Sequence, residues 1–126
     1  MEEVSTALRN YLEAIVLLGG TPEHSVRSID IARKLDVSKP SVNSAISSLK
    51  KKGLVSQPFH GEVTITEEGY RLGACVAKNH ELSRTFLLDV LQVPADDAEK
   101  EANLIKHAIG ERSAQKWSAF LNSYSA

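Results

Sequence analysis

Residues 38–54, SKPSVNSAISSLKKKGL, decide how the rest of the chain is read. Val42, Ala45, Ile46 and Leu49 fall at i, i+3, i+4 and i+7, one apolar stripe of an α-helix. Ser38 stands where a side-chain oxygen can cap the first free N–H groups. Pro40 falls in the first turn, where no intrahelical bond is lost, and Gly53 follows the last turn. The opposite face carries Lys39, Ser41, Asn43, Ser44, Ser47, Lys50 and Lys51. Short hydrogen-bonding side chains let a backbone approach base edges and lysines meet phosphates, so this face suits the major groove of DNA. Taken alone, it reads as an ordinary solvated face.

The neighbours shift that balance. Residues 28–35, SIDIARKL, predict a short helix capped by Ser28, and Asp36-Val37-Ser38 joins it to the next helix at the spacing of a helix-turn-helix. Residues 54–57 and 63–66 are β-prone runs around Pro58-Phe59-His60-Gly61-Glu62, which predicts a hairpin with His60 and Glu62 exposed. Together these segments spell a winged helix-turn-helix. A wing tip can touch the DNA backbone or minor groove, although ordinary surface explains both residues too.

With 126 residues, 42% hydrophobic and 25% charged, the chain fits one compact domain or two small ones. No apolar run approaches the ~18 residues that span a bilayer, and the acidic start Met1-Glu2-Glu3 does not resemble a signal peptide, so no membrane partner and a cytoplasmic location are expected. A single Cys75 excludes an internal disulfide or a cysteine-cluster zinc site, and is expected as a small packed residue. The net charge of −1 hides an asymmetry. Between Arg27 and Lys52 stand seven bases (Arg27, Arg33, Lys34, Lys39, Lys50, Lys51, Lys52) against two acids (Asp30, Asp36), a local +5 where the fold would meet DNA. The acidic remainder implies weak, salt-dependent non-specific affinity and selective binding as a dimer.

Elsewhere, Leu8, Tyr11, Leu12, Ile15 and Leu18 predict a first helix over residues 6–18, ended by Gly19-Gly20. Asn10 and Glu13 form a second, polar stripe on it. Thr66 reads as the cap of a long helix running to about Leu91, with Glu67 and Glu68 favourably placed in its first turn. Residues 93–96 break it, residues 97–109 form the next helix up to Gly110, and residues 111–124 form the last. There Trp117, Phe120, Leu121 and Tyr124 make an i, i+3, i+4, i+7 stripe. The fold expected is mainly α, a winged helix-turn-helix over residues 1–66 followed by a helical dimerisation and metal-sensing domain over residues 67–126. The stripe and the far end of the long helix are the dimer surface expected, because two recognition helices must enter grooves about 34 Å apart.

The chain resembles the diphtheria-toxin-repressor family of metal-dependent repressors, above all its short manganese-regulator branch. The resemblance runs from about Leu8 to Leu121. It rests on Tyr11-Leu12-Glu13-Ala14-Ile15, Ser38-Lys39-Pro40-Ser41-Val42, Lys52-Gly53-Leu54-Val55, Thr64-Ile65-Thr66-Glu67-Glu68-Gly69, Asn79-His80-Glu81-Leu82 and Lys106-His107, in that order and spacing. It implies a divalent ion between the DNA-binding and dimerisation parts. Glu13, His80 and His107 stand at ligand positions, while Asn10 replaces an Asp, Asn103 a Cys or Glu, and Lys106 a Glu. Manganese or iron could still be held by Glu13, His80 and His107 with Asn10 and Asn103, and Glu99, one turn before Asn103, could join them. Alternatively Lys106, turned towards Glu13, replaces the ion and the repressor works without metal. A second metal site found in some members does not carry over, because Arg84 and Glu99 stand where those members have Glu and His.

The function expected is therefore a homodimeric, DNA-binding transcriptional repressor of double-stranded operator DNA, not an enzyme. Arg27, Ser38, Lys39, Ser41, Asn43, Ser44, Lys50 and Lys51 are its candidate DNA contacts. A protein-interaction winged helix is the alternative from another class, and it would more often place apolar residues between Lys39 and Lys51.

Overall fold

The computed structural model describes residues 3–124; the start at Met1-Glu2 lies outside the described residues. The chain runs α1 (Thr6–Leu17), β1 (Val26–Arg27), α2 (Ser28–Leu35), α3 (Lys39–Lys51), β2 (Val55–Ser56), β3 (Glu62–Ile65) and α4 (Glu67–Thr85). A π-helical turn (Phe86–Val90), α5 (Ala95–Ile105) and α6 (Glu111–Tyr124) complete it. Two compact units divide between Cys75 and Val76, inside α4. This is a winged helix-turn-helix followed by helices.

In the first unit the predicted stripes become one core. Leu12 and Ile15 of α1, Ile31 and Ala32 of α2, and Val42, Ile46 and Leu49 of α3 are buried together with Val26, Leu54, Val55, Val63 and Ile65. Asp36 takes the left-handed conformation (φ 55°) at the end of α2, which turns the chain sharply into α3. Ser38 caps α3 as expected: its Oγ accepts from Ser41 N at 3.2 Å. Thr66 holds the start of α4 to the wing, accepting from Gly69 N and donating to Gly53 O at 2.9 Å. Gly69 permits a close approach, because a Cβ there would lie 2.2 Å from Leu54 O.

Four expectations need correction. Ser28 is the first residue of α2 rather than its cap, which is Arg27 with no side-chain hydrogen bond. The cause is a third strand: β1 pairs antiparallel with β3 (Val26 with Val63, Arg27 with Glu62), and Ser28 N donates to Gly61 O, so the chain stays extended up to the helix. That pairing leaves Glu62 half-buried, while His60 is exposed. Cys75 is exposed, not packed. The long helix keeps its length, but its last turn widens to π, with Leu91 N bonded to Phe86 O.

The fourth correction lies in the second unit. α5 ends at Ile105 instead of continuing to Ile109. Asn79, buried on α4, sends its Nδ2 to Lys106 O (3.3 Å) and Ile109 O (3.4 Å), and Ala108 N turns back to Ile105 O. Ala108 N thus bonds three residues back instead of four, which ends the α-helix, and Asn79 satisfies carbonyls that the ended helix leaves free. The apolar core here is thinner: Leu82, Ala114 and Leu121 cluster with Phe86, Val90, Ile109 and Trp117, and Val76, Leu87, Ala98 and Ala102 are buried besides. Trp117 meets Phe86 edge-on at 5.3 Å, whereas Phe120 and Tyr124 stack at 5.8 Å on the exposed side of α6. The expected stripe is therefore divided between interior and surface.

Candidate nucleic-acid interface and metal centre

Burial of Val42, Ala45, Ile46 and Leu49 turns the opposite face of α3 outward, where Lys39, Ser41, Asn43, Ser44, Lys50 and Lys51 are all exposed. Ser38 is also exposed, but its hydroxyl is engaged at the cap and donates to Ser41 Oγ at 2.9 Å. Arg27 is exposed on β1, beside the wing. A groove of about 890 Å³ runs between α3 and the wing, lined by Arg27, Arg33, Lys39, Asn43, His60 and Glu62 among others. Arg33 and His60 thus join the surface that the charge count had centred on α3. Local +5 charge, a concave wall carrying Arg27, Arg33 and Lys39, and short polar side chains on the adjoining face of α3 are what a phosphate-flanked groove requires.

The candidate metal residues are distributed differently. Asn10 and Glu13 lie on α1 in the first unit, Asn10 half-buried and Glu13 buried, although a polar stripe would ordinarily face solvent. His80, Asn103 and His107 lie in the second unit. Because α5 stops at Ile105, Asn103 and His107 do not share one helical face as the i, i+4 spacing implied. Instead, α4 and α5 build a chain of polar contacts. His80 Nε2 meets Glu99 Oε2 at 2.9 Å, and Arg84 Nε meets Glu99 Oε1 at 3.3 Å. Asn103 Nδ2 donates to Glu99 Oε2 at 3.4 Å, and Lys106 Nζ donates to Asn103 Oδ1 at 3.0 Å. Lys106 is 7% exposed. With Nε2 engaged, His80 keeps a buried Nδ1 without a hydrogen-bond partner.

Residues 66–125 match the family model described as "Iron dependent repressor, metal binding and dimerisation domain". The chain is similar to the iron- and manganese-dependent repressors of the diphtheria-toxin-repressor family, and its helical half matches their metal-binding and dimerisation domain. Residues 1–70 also belong to a family described only as a domain of unknown function (DUF8462). The iron-dependent repressor IdeR of Mycobacterium tuberculosis (strain ATCC 25618 / H37Rv) is 29% identical over 126 residues, covering 98% of this chain and 53% of IdeR. The transcriptional regulator MntR of Escherichia coli O157:H7 is 31% identical over 101 residues, covering 79% of this chain and 64% of MntR. A solved manganese-dependent transcriptional repressor in complex with manganese superposes with a TM-score of 0.75 at 29% identity, over 91% of this chain and 52% of its own. The chain thus spans about half the length of IdeR and of that repressor. Similarity of 29% to an iron repressor and 31% to a manganese regulator does not separate the two branches.

A divalent manganese or iron is the cofactor class that this family brings, and the polar chain of the second unit tests whether these residues fit one. Among the described residues, no three His, Cys, Asp or Glu side chains stand together so as to hold a metal. Asn103 could offer an ion only Oδ1, and that oxygen already takes the Lys106 ammonium. An ion bound there at roughly 2.2 Å could stand no further than about 5 Å from Nζ. At an effective dielectric near 20, a dication at that distance is opposed by about 7 kcal/mol, roughly five decades of affinity. Glu99, the carboxylate that meets His80, is shared with Arg84. The donor set of α4 and α5 does not fit a resident divalent cation.

Proposed function

We propose that this chain is a DNA-binding transcriptional repressor that acts as a homodimer on double-stranded operator DNA, and not an enzyme. The observation that carries it is the outward face of α3, basic at both ends, serine- and asparagine-rich between, and set beside a groove closed by the wing. Residues 1–66 then bind DNA and residues 67–126 dimerise. Lys39, Lys50, Lys51 and Arg27 meet phosphates, Asn43, Ser44 and Ser41 read base edges, and Ser38 positions the helix start. Exposed Leu91, Leu104, Phe120 and Tyr124 support a second copy as the partner of the helical part. Among the described residues no helix is long and apolar enough to cross a membrane.

The test is selection of duplexes from a random-sequence pool by the purified chain. Enrichment of a pseudo-palindrome with half-sites about one helical turn apart is expected. On the selected duplex, Lys39→Ala or Lys50→Ala should weaken binding to every sequence and lower the salt slope by about one each, whereas Asn43→Ala or Ser44→Ala should change the preferred bases. No enrichment, or four identical effects, would sink the assignment.

A further inference from the structure

We propose that the second unit carries its own cations where its metal-dependent relatives carry an ion, so that α4 and α5 are tied together without metal. Two features independent of the DNA reading point there. The first is the closure of the His80–Glu99 pair by Arg84: both oxygens of Glu99 are engaged, one by guanidinium and one by imidazole and the Asn103 amide. With a guanidinium on one oxygen and N–H donors on the other, the carboxylate has its charge compensated where it stands. The second is the burial of Lys106, whose ammonium reaches the only acceptor atom in the Asn103 side chain. Compensation by a mobile ion would make the arrangement conditional on metal supply; compensation by arginine, with the Lys106 ammonium on the Asn103 oxygen, makes it permanent.

The backbone reinforces the same arrangement. Asn79, one residue before His80, binds the carbonyl of Lys106, so the residue carrying the buried ammonium is pinned to the helix carrying the imidazole. Ser83 donates to Asn79 O at 2.7 Å and is fully buried, which adds a second polar tie in the same helix. Neither contact involves a group that an ion would have to displace. The closed state of this unit is thus built from side chains that are always present, and its regulation, if the repressor reading holds, comes from something other than manganese or iron.

The experiment uses the full chain and manganese(II) chloride alone, by isothermal titration calorimetry and by thermal melts in EDTA or excess manganese. For the unaltered chain, no binding tighter than about 100 µM and no rise in Tm are expected, against the several-degree rise that a ligand at ~100 times its Kd would give. Lys106→Glu should bind manganese at least 100-fold more tightly. Because Lys106 is buried, that variant can fail to fold. Arg84→Glu changes an exposed residue, sets a second carboxylate near His80 and Glu99, and should gain at least 10-fold. One manganese per unaltered chain at micromolar Kd, lost in His80→Ala, overturns the proposal. So does the absence of any gain in folded Arg84→Glu. The selected duplex, tested on the same samples, separates this inference from the repressor reading on which its regulatory meaning rests. Binding that appears only with manganese overturns the inference. Absence of binding in both EDTA and manganese overturns the repressor reading and leaves the calorimetric result to decide the cation network.

Discussion

The two units of this chain solve the same problem in opposite ways. Residues 3–75 bury a continuous apolar core drawn from three helices and three strands. The second unit buries fewer apolar side chains, alanines among them, and places Asn79, Ser83 and Lys106 in its interior beside them. Apolar burial is non-directional and tolerates sequence change, whereas a buried polar group must find a partner with defined geometry or lose 1–3 kcal/mol. The first unit is therefore a scaffold that presents a surface. The second is a set of specific ties, and specificity of that kind is where a family can change its control chemistry while keeping its fold.

The comparison breaks most visibly at the cores. Leu49→Ala removes a fully buried side chain from the middle of the first core and should cost 2–5 kcal/mol; Leu121→Ala, in the thin core of the second unit, should fall at the bottom of that range. Urea unfolding followed by far-UV circular dichroism and by the fluorescence of Trp117, the single tryptophan, reads the two separately. If Leu121→Ala proves the costlier change, the second unit is not the weakly packed one.

Asn79 comes next. Asn79→Ala strips the carbonyls of Lys106 and Ile109 of a shared donor, and a loss of 1–3 kcal/mol is expected, with Trp117 fluorescence shifting at lower urea. An unchanged midpoint would mean that water satisfies both carbonyls as well as Asn79 does. Ser38→Ala should cost about 1 kcal/mol through the lost cap of α3 and should weaken DNA binding by a similar, smaller factor than Lys39→Ala. A loss of binding larger than that of Lys39→Ala would show that Ser38 touches DNA itself.

The contrast also accounts for what could be read from sequence. In the first unit, periodicity and local caps determine structure, so α1, α3, the Ser38 cap and the hairpin follow from residues a few positions apart. β1 escaped because two residues, Val26 and Arg27, cannot display an alternation, and its partner β3 lies more than thirty positions away. In the second unit α6 was legible from its stripe, but the end of α5 was not: no local signal stops a helix at Ile105, and the free carbonyls beyond it are met by Asn79, a side chain from another helix. The resemblance singled out His80, Asn103 and Lys106, and helical spacing put Glu99 beside Asn103, but nothing in the sequence showed that Arg84 shares Glu99 with His80. The π-turn over residues 86–90 carries no sequence signal that we can name.

The smallest expected effect is the most discriminating. Arg84 and Glu99 are each about half exposed, 52% and 48%, so their ion pair is screened by solvent and should contribute no more than about 1 kcal/mol. Arg84→Ala should therefore shift the urea midpoint little, and raising salt from 50 to 500 mM should abolish even that difference. A double-mutant cycle with Glu99→Ala measures the coupling directly. If the coupling is well below 1 kcal/mol while Arg84→Glu changes manganese affinity at least 10-fold, the pair sets which ions the unit accepts without holding the fold together. A coupling above 2 kcal/mol would make Arg84 a structural tie. The departure from the family's ligand set would then be a matter of stability rather than of control.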